Sequence, residues 1–195
     1  MKNLKGTRTA ENLMKSFAGE SQARNRYTYF ASIAKKEGYV QISKIFEETA
    51  NHEKEHAKRM FKFLASQLNG EAISISEVEF PVMYSDTLSN LKSGKAGEHE
   101  ENAILYPEFA KVAAEEGFPE IASMYTNIAK AEKNHEKRYE KLITELENNT
   151  IFKKEEVKLW KCENCGFVYE GKEAPEKCPA CLHPKAYFSL QENTY

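Results

Sequence analysis

The sequence predicts a mainly α-helical protein: a four-helix bundle with one long crossover between its second and third helices, then a small C-terminal four-cysteine module. Three observations carry this. Residues 7–148 are rich in Ala, Glu, Lys and Leu and poor in proline, with legible breaks. The two halves of that stretch repeat each other. All four cysteines fall between Cys162 and Cys181, as Cys-x-x-Cys, twelve residues, Cys-x-x-Cys. The expected division is a bundle over residues 1–150 and a metal-bound module over 151–195.

The first helical pattern ends in Ala34-Lys35-Lys36-Glu37 and is stopped by Gly38. The second ends at Asn69-Gly70. From Ile73 to Tyr84 the chain reads as a crossover with partly strand-like alternation. A third helix is expected from near Ser85 to Glu116, where Gly117 ends it. Pro119 suits the first turn of a fourth helix, which runs to Asn148-Asn149-Thr150.

The repeat has one irregularity. Gly19-Glu20 recurs as Gly97-Glu98 at an offset of 78, whereas Tyr27 and Tyr106, and Glu53-x-x-His56 and Glu132-x-x-His135, are offset by 79. One residue has therefore entered the third helix between Glu98 and Tyr106. A single added residue within a helix predicts a π-bulge, a rare feature often found at functional sites.

Core-facing positions at three- and four-residue spacing give Leu13, Phe17, Glu20, Arg24, Tyr27 and Ala31 on the first helix. The second gives Ile45, Thr49, Glu53, His56 and Met60, the third Leu91, Glu98, Glu101 and Leu105, and the fourth Ile128, Glu132, His135 and Tyr139. Each apolar stripe is broken near its middle by a carboxylate. Facing carboxylates in an apolar core repel one another and are costly to desolvate, a problem that cations at the bundle centre remove. A Glu from each of two helices plus Glu-x-x-His from each of the other two is the pattern that holds two metal ions in a bundle. Here it is Glu20, Glu98, Glu53/His56 and Glu132/His135. Mixed carboxylate and imidazole donors favour iron or manganese over calcium or a structural zinc.

Glu101 has no counterpart in the first repeat and would be a seventh group. Tyr27 and Tyr106 either hydrogen-bond the ligating carboxylates or are ordinary core. Glu47, Glu48, Glu55, Glu136, Glu140, His52 and His99 lie off the stripes and are read as solvated.

Cys162, Cys165, Cys178 and Cys181 form two metal-binding turns. Trp160, Phe167, Tyr169, Tyr187 and Phe188 make an aromatic core too small to stand without a metal staple. Spacing alone leaves structural zinc and an iron–thiolate centre both open. An electron feed to the bundle metals favours iron.

A net charge of −2 over 195 residues offers no footprint for nucleic acid or for an anionic membrane. No apolar run approaches membrane-spanning length, and the opening Met1-Lys2-Asn3-Leu4-Lys5-Gly6 has no secretory character, so a cytoplasmic location is expected.

With Gly-Glu-Ser-Gln-Ala-Arg-Asn-Arg-Tyr at 19–27, Glu-x-x-His-Ala-Lys-Arg at 53–59, Gly-Glu-His-Glu-Glu at 97–101 and Cys-x-x-Cys-Gly-x-x-Tyr at 162–169, the chain resembles the rubrerythrin family over essentially its whole length. The resemblance implies a ferritin-like bundle with two non-haem iron ions and a rubredoxin-like domain with one, zinc being able to replace iron in each. It implies a peroxidase of oxidative-stress defence that reduces hydrogen peroxide to water. Electrons would come from rubredoxin or an NADH-dependent reductase. It also implies a homodimer in which one subunit's rubredoxin-like domain lies near the other's di-iron site. Ligands and catalytic groups would be Glu20, Glu53, His56, Glu98, Glu101, Glu132 and His135, aided by Tyr27 and Tyr106, with Glu101 holding one iron when oxidised and His56 when reduced. The competing expectations are oxidation of ferrous iron for storage, and simple electron carriage by the cysteine-bound iron.

Overall fold

A computed structural model describes residues 3–68 and 70–191. Asn69, part of the expected stop of the second helix, lies outside them, as do residues 192–195 of the expected module. Helix α1 spans Arg8–Lys36 and α2 spans Val40–Leu68. The third bundle helix is α3 (Thr87–Glu100), a π-helical turn (Glu101–Leu105) and α4 (Tyr106–Glu115), and α5 is Pro119–Glu147.

Termini follow from local chemistry. Thr7 caps α1, its hydroxyl accepting from the Ala10 N–H, and Asp86 caps α3 by accepting from Ser89. The two halves turn alike. Gly38 (φ 88°) donates to Lys35 O while Tyr39 donates to Ala34 O, and Gly117 (φ 81°) and Phe118 do the same to Ala114 and Ala113. Only glycine enters this left-handed cap without steric cost. The tight reversals make α1–α2 and the α3/α4–α5 pair antiparallel hairpins.

The predicted π-bulge is present, and residues 101–105 carry it. The Tyr106 N–H reaches Glu101 O, five residues back. Asn102 steadies the irregular turn, its side-chain amide donating to Glu98 O (2.6 Å) and to Glu136 (2.8 Å).

Two expectations need correction. The crossover from Glu71 to Asp86 contains no strand; Ile73 and Ile75 are half-buried because they lie on the bundle surface, with no partner strand beside them. Arg24 is exposed and Ala23 is buried in its place.

Two apolar clusters fill the bundle. One centres on Tyr27, Phe30, Phe46 and Tyr139, the other on Leu13, Met60, Tyr106 and Tyr125. Along every helix the ligand candidates lie between the two. A three-stranded antiparallel sheet follows, with β1 (Lys153–Cys162) central between β2 (Val168–Glu173) and β3 (Phe188–Leu190). Trp160, buried in its core, donates Nε1–H to Gly171 O at 2.9 Å. The sheet region leans on α2: Lys44 pairs with Glu163 at 2.5 Å, and the Tyr39 and Phe152 rings stack 6.2 Å apart. Ile151 packs into the bundle core rather than that of the sheet. No helix is long and apolar enough to cross a membrane among the described residues.

Candidate metal centres

Glu20, Glu53, Glu98 and Glu132 are buried almost completely, with His135, in the plane between the two apolar clusters. Their donor atoms form two sets of four: Glu20, Glu53, His56 and Glu132, and Glu53, Glu98, Glu132 and His135. Within each set all atoms lie within 4.8 Å of one another. Glu53 and Glu132, which come from the two Glu-x-x-His motifs, belong to both sets and so stand between them.

The imidazoles face inward through Nδ1. His56 Nδ1 lies 3.0 Å from Glu53 and 2.9 Å from Glu132, and His135 Nδ1 lies 3.3, 3.2 and 2.9 Å from Glu53, Glu98 and Glu132. Despite these approaches, Glu20 Oε2, Glu53 Oε1 and both oxygens of Glu132 make no hydrogen bond. Buried carboxylate oxygens are ordinarily satisfied. Donor atoms that crowd a common point and leave several buried carboxylate oxygens without an aligned hydrogen bond are what bound cations require, so the residues fit two ions.

Electrostatics agree. Burial pushes Glu20 and Glu101 well above the carboxylate range and Glu98 up to about 8, with neighbouring glutamates adding to each. Burial acts upward on Glu53 too, but hydrogen bonds from His135 and His56 hold it at about 2. Carboxylate hydrogen bonds overcome desolvation to raise both histidines, His135 to about 12. Without a cation the cluster must carry extra protons; divalent ions displace them.

Both tyrosines reach the carboxylates, and they do so across the repeat. Tyr27 Oη donates to Glu98 and Tyr106 Oη to Glu20, each at 2.5 Å. Glu101 is half-buried and absent from both four-atom sets; it lines a cavity of about 680 Å³ between α1, the π turn and the crossover. His56, not Glu101, belongs to one of the four-atom sets.

Sequence reasoning missed an outer layer. His52 Nδ1 lies 3.1 Å from His135 Nε2, with the rings stacked. Glu136 accepts from Asn102 and pairs with His99 at 2.9 Å, tying α5 to the π turn. His52 and His99 are exposed, as the sequence reading has them, and Glu136 is half-buried; what was missed is their partners, because each sits off the apolar stripe of its own helix. Their partners lie on neighbouring helices, and no single-helix periodicity reports those.

Cys162 Sγ stands 3.7 Å from Cys181 Sγ, and Cys165 Sγ 3.6 Å from Cys178 Sγ. A disulfide is about 2.0 Å long, whereas sulfurs about 2.3 Å from one tetrahedral ion stand about 3.8 Å apart. All four sulfurs lie within 4.8 Å of one another. The N–H of His183 bonds Cys181, holding that thiol down at about 6. The N–H of Phe167 likewise acts downward on Cys165, but hydrogen bonds with its fellow cysteines push it up to about 12. A bound cation makes all four thiolates, and these backbone donors remain to support them.

Residues 11–143 match the family model described as Rubrerythrin, and residues 160–189 the one described as Rubrerythrin, rubredoxin-like domain. The rubrerythrin of Clostridium perfringens is 63% identical, with 100% of both chains covered. A structure of nigerythrin in a partially reduced state superposes with a TM-score of 0.65 at 34% identity, covering 97% of this chain and 89% of that one. A bacterioferritin of Desulfovibrio desulfuricans, 23% identical, covers 72% of this chain and 81% of its own at a TM-score of 0.64, which shows the ferritin-like bundle alone.

Proposed function

The chain belongs to the rubrerythrin family, and from that premise we propose that it is a peroxidase reducing hydrogen peroxide to water, replenished with electrons through its rubredoxin-like iron site. One observation carries the reading: a single chain joins a two-ion carboxylate site to a four-thiolate site. Peroxide needs two electrons at once, while an iron–thiolate centre passes them singly.

When bound, the iron pair supplies two electrons and the Lewis acidity that stabilises charge on the separating oxygens. The chain's residues do the rest. Glu53 and Glu132 would hold both ions, Glu20 with His56 and Glu98 with His135 would each hold one, and the cores on either side exclude water. Tyr27 and Tyr106 fix Glu98 and Glu20 by their hydroxyls. Glu101, which lines the cavity, would pass protons to the substrate oxygens; peroxide, two electrons and two protons give two waters. The electrons would enter Cys162, Cys165, Cys178 and Cys181 from rubredoxin or an NADH-dependent reductase, in a cytoplasmic homodimer.

The test mixes the anaerobically reduced protein with peroxide or with O2 in rapid mixing. Faster oxidation by peroxide is expected, with Cys162→Ser keeping one fast oxidation and losing turnover. Preferential oxidation by O2, or unchanged turnover in the cysteine variant, would overturn the assignment.

A further inference from the structure

The cavity beneath the crossover is much larger than hydrogen peroxide requires. Half open to its surroundings, it offers about 680 Å³. A water molecule claims about 30 Å³ and peroxide adds one oxygen to that, whereas cavities of roughly 300–1,000 Å³ hold small organic ligands.

Its walls are divided. Toward the metal centre it presents the Glu101 carboxyl; opposite and beside it stand Val78, Phe80 and Pro81 of the crossover and Leu105 and Phe109 of the third bundle helix. Two glycines line it, Gly19 and Gly97, and each precedes a ligand candidate in the repeat. A Cβ on Gly19 would lie 3.8 Å from Phe80 Cε1 and 3.9 Å from Glu101 Oε1, which puts Gly19 between the roof aromatic and the carboxylate. A Cβ on Gly97 would meet nothing within 4 Å, so Gly97 borders open space. Charged side chains of both signs also line it, the acids Glu77, Glu79 and Glu100 and the bases Lys15 and Arg26.

The geometry points to a second substrate class: the cavity receives the uncharged organic group of an alkyl or aryl hydroperoxide, ROOH, with its –OOH directed at Glu101. This rests on the peroxide-reduction reading. The O–O bond breaks as it does for hydrogen peroxide. Two electrons, delivered by the same one-electron carrier proteins, and two protons convert ROOH to ROH and water. The apolar wall recognises R by burial alone, so shape and size decide which hydroperoxides fit.

Steady-state turnover of the metal-loaded protein is to be compared for cumene hydroperoxide and hydrogen peroxide. Binding of the unreactive product alcohol, 2-phenyl-2-propanol, is followed separately by saturation-transfer NMR. Wild type should turn over both oxidants and bind the alcohol. Gly97→Leu, which fills open space on a helical backbone, should lower kcat/KM for cumene hydroperoxide about tenfold more than for hydrogen peroxide, and weaken alcohol binding in step. Gly97→Ala is the milder variant and should fall between. Turnover of hydrogen peroxide with neither reduction of cumene hydroperoxide nor alcohol binding overturns this inference and leaves the peroxidase reading intact. Equal loss of both activities in Gly97→Leu, with alcohol binding unchanged, also overturns it. If neither oxidant is turned over, the peroxidase reading fails instead.

Discussion

His52 Nδ1 stands 3.1 Å from His135 Nε2, the ring nitrogen that faces away from the carboxylates. A metal on His135 Nδ1 leaves the proton on Nε2, so His135 donates and His52 accepts. His52 thereby fixes both the tautomer and the plane of a ligand. His52→Leu should weaken metal retention about 10- to 100-fold in a chelator competition. His52→Gln, whose side-chain oxygen can accept the same hydrogen bond, should recover much of it. Wild-type retention in the leucine variant would remove His52 from the site.

Tyr27→Phe and Tyr106→Phe keep the buried rings and delete one hydroxyl each. The released acceptors, on Glu98 and Glu20, stay in the core. Each change should destabilise the metal-loaded protein by about 1–3 kcal/mol in denaturant unfolding. The two touch different carboxylates, so their effects should add; strong non-additivity would mean that both tyrosines act through a shared element.

Glu163 joins the sheet to α2, accepting from Lys44 and from Ser189. Burial acts upward on its carboxyl, but those hydrogen bonds prevail and hold it below the usual glutamate value. A carboxyl lowered by folding adds stability above its unfolded pKa, and that stability is lost as pH falls through its folded value. Below roughly pH 4.5 the wild-type stability curve should therefore drop more steeply than that of Glu163→Gln, with about 0.5–1 kcal/mol at stake for such a partly exposed pair. Parallel curves over that range would refute the linkage.

The two cysteine turns reverse direction just past their second cysteine, at Gly166 (φ 77°) and Leu182 (φ 61°). A side chain in that region costs about 1–2 kcal/mol, and Leu182, 74% exposed, recovers little by burial. Leu182→Gly should stabilise the sheet region by up to about 1 kcal/mol, read as slower metal release in denaturant. Faster release would show that the leucine contributes packing despite its exposure.

Most of the bundle and the cluster of carboxylates and histidines at its centre were legible because the repeat wrote the signal twice. Glu20, Glu53, Glu98 and Glu132 interrupt apolar stripes at matching places, and the mismatch of one residue marks the π turn in the sequence itself. What escaped depends on contacts between helices. His52 lies one position from Glu53, around the helix from the stripe, and only the approach of α5 makes it a neighbour of His135. The crossover misled because alternation reports one wet and one dry side, whether the dry side meets a strand or a bundle. Arg24 misled because a strict four-residue step drifts off a 3.6-residue helix, and Ala23 takes the inward position.

The crossed tyrosines set a limit on how this protein divides. Tyr27 of the first hairpin serves Glu98 of the second, and Tyr106 of the second serves Glu20 of the first. Each ligand set likewise draws on both hairpins. A half-length chain would therefore hold a ligand without its clamp and a clamp without its ligand, and could finish a site only by pairing with another copy of itself. The present chain behaves as such a pair made permanent by a covalent tether. Once tethered, its halves were free to differ, and Glu101 is where one of them did.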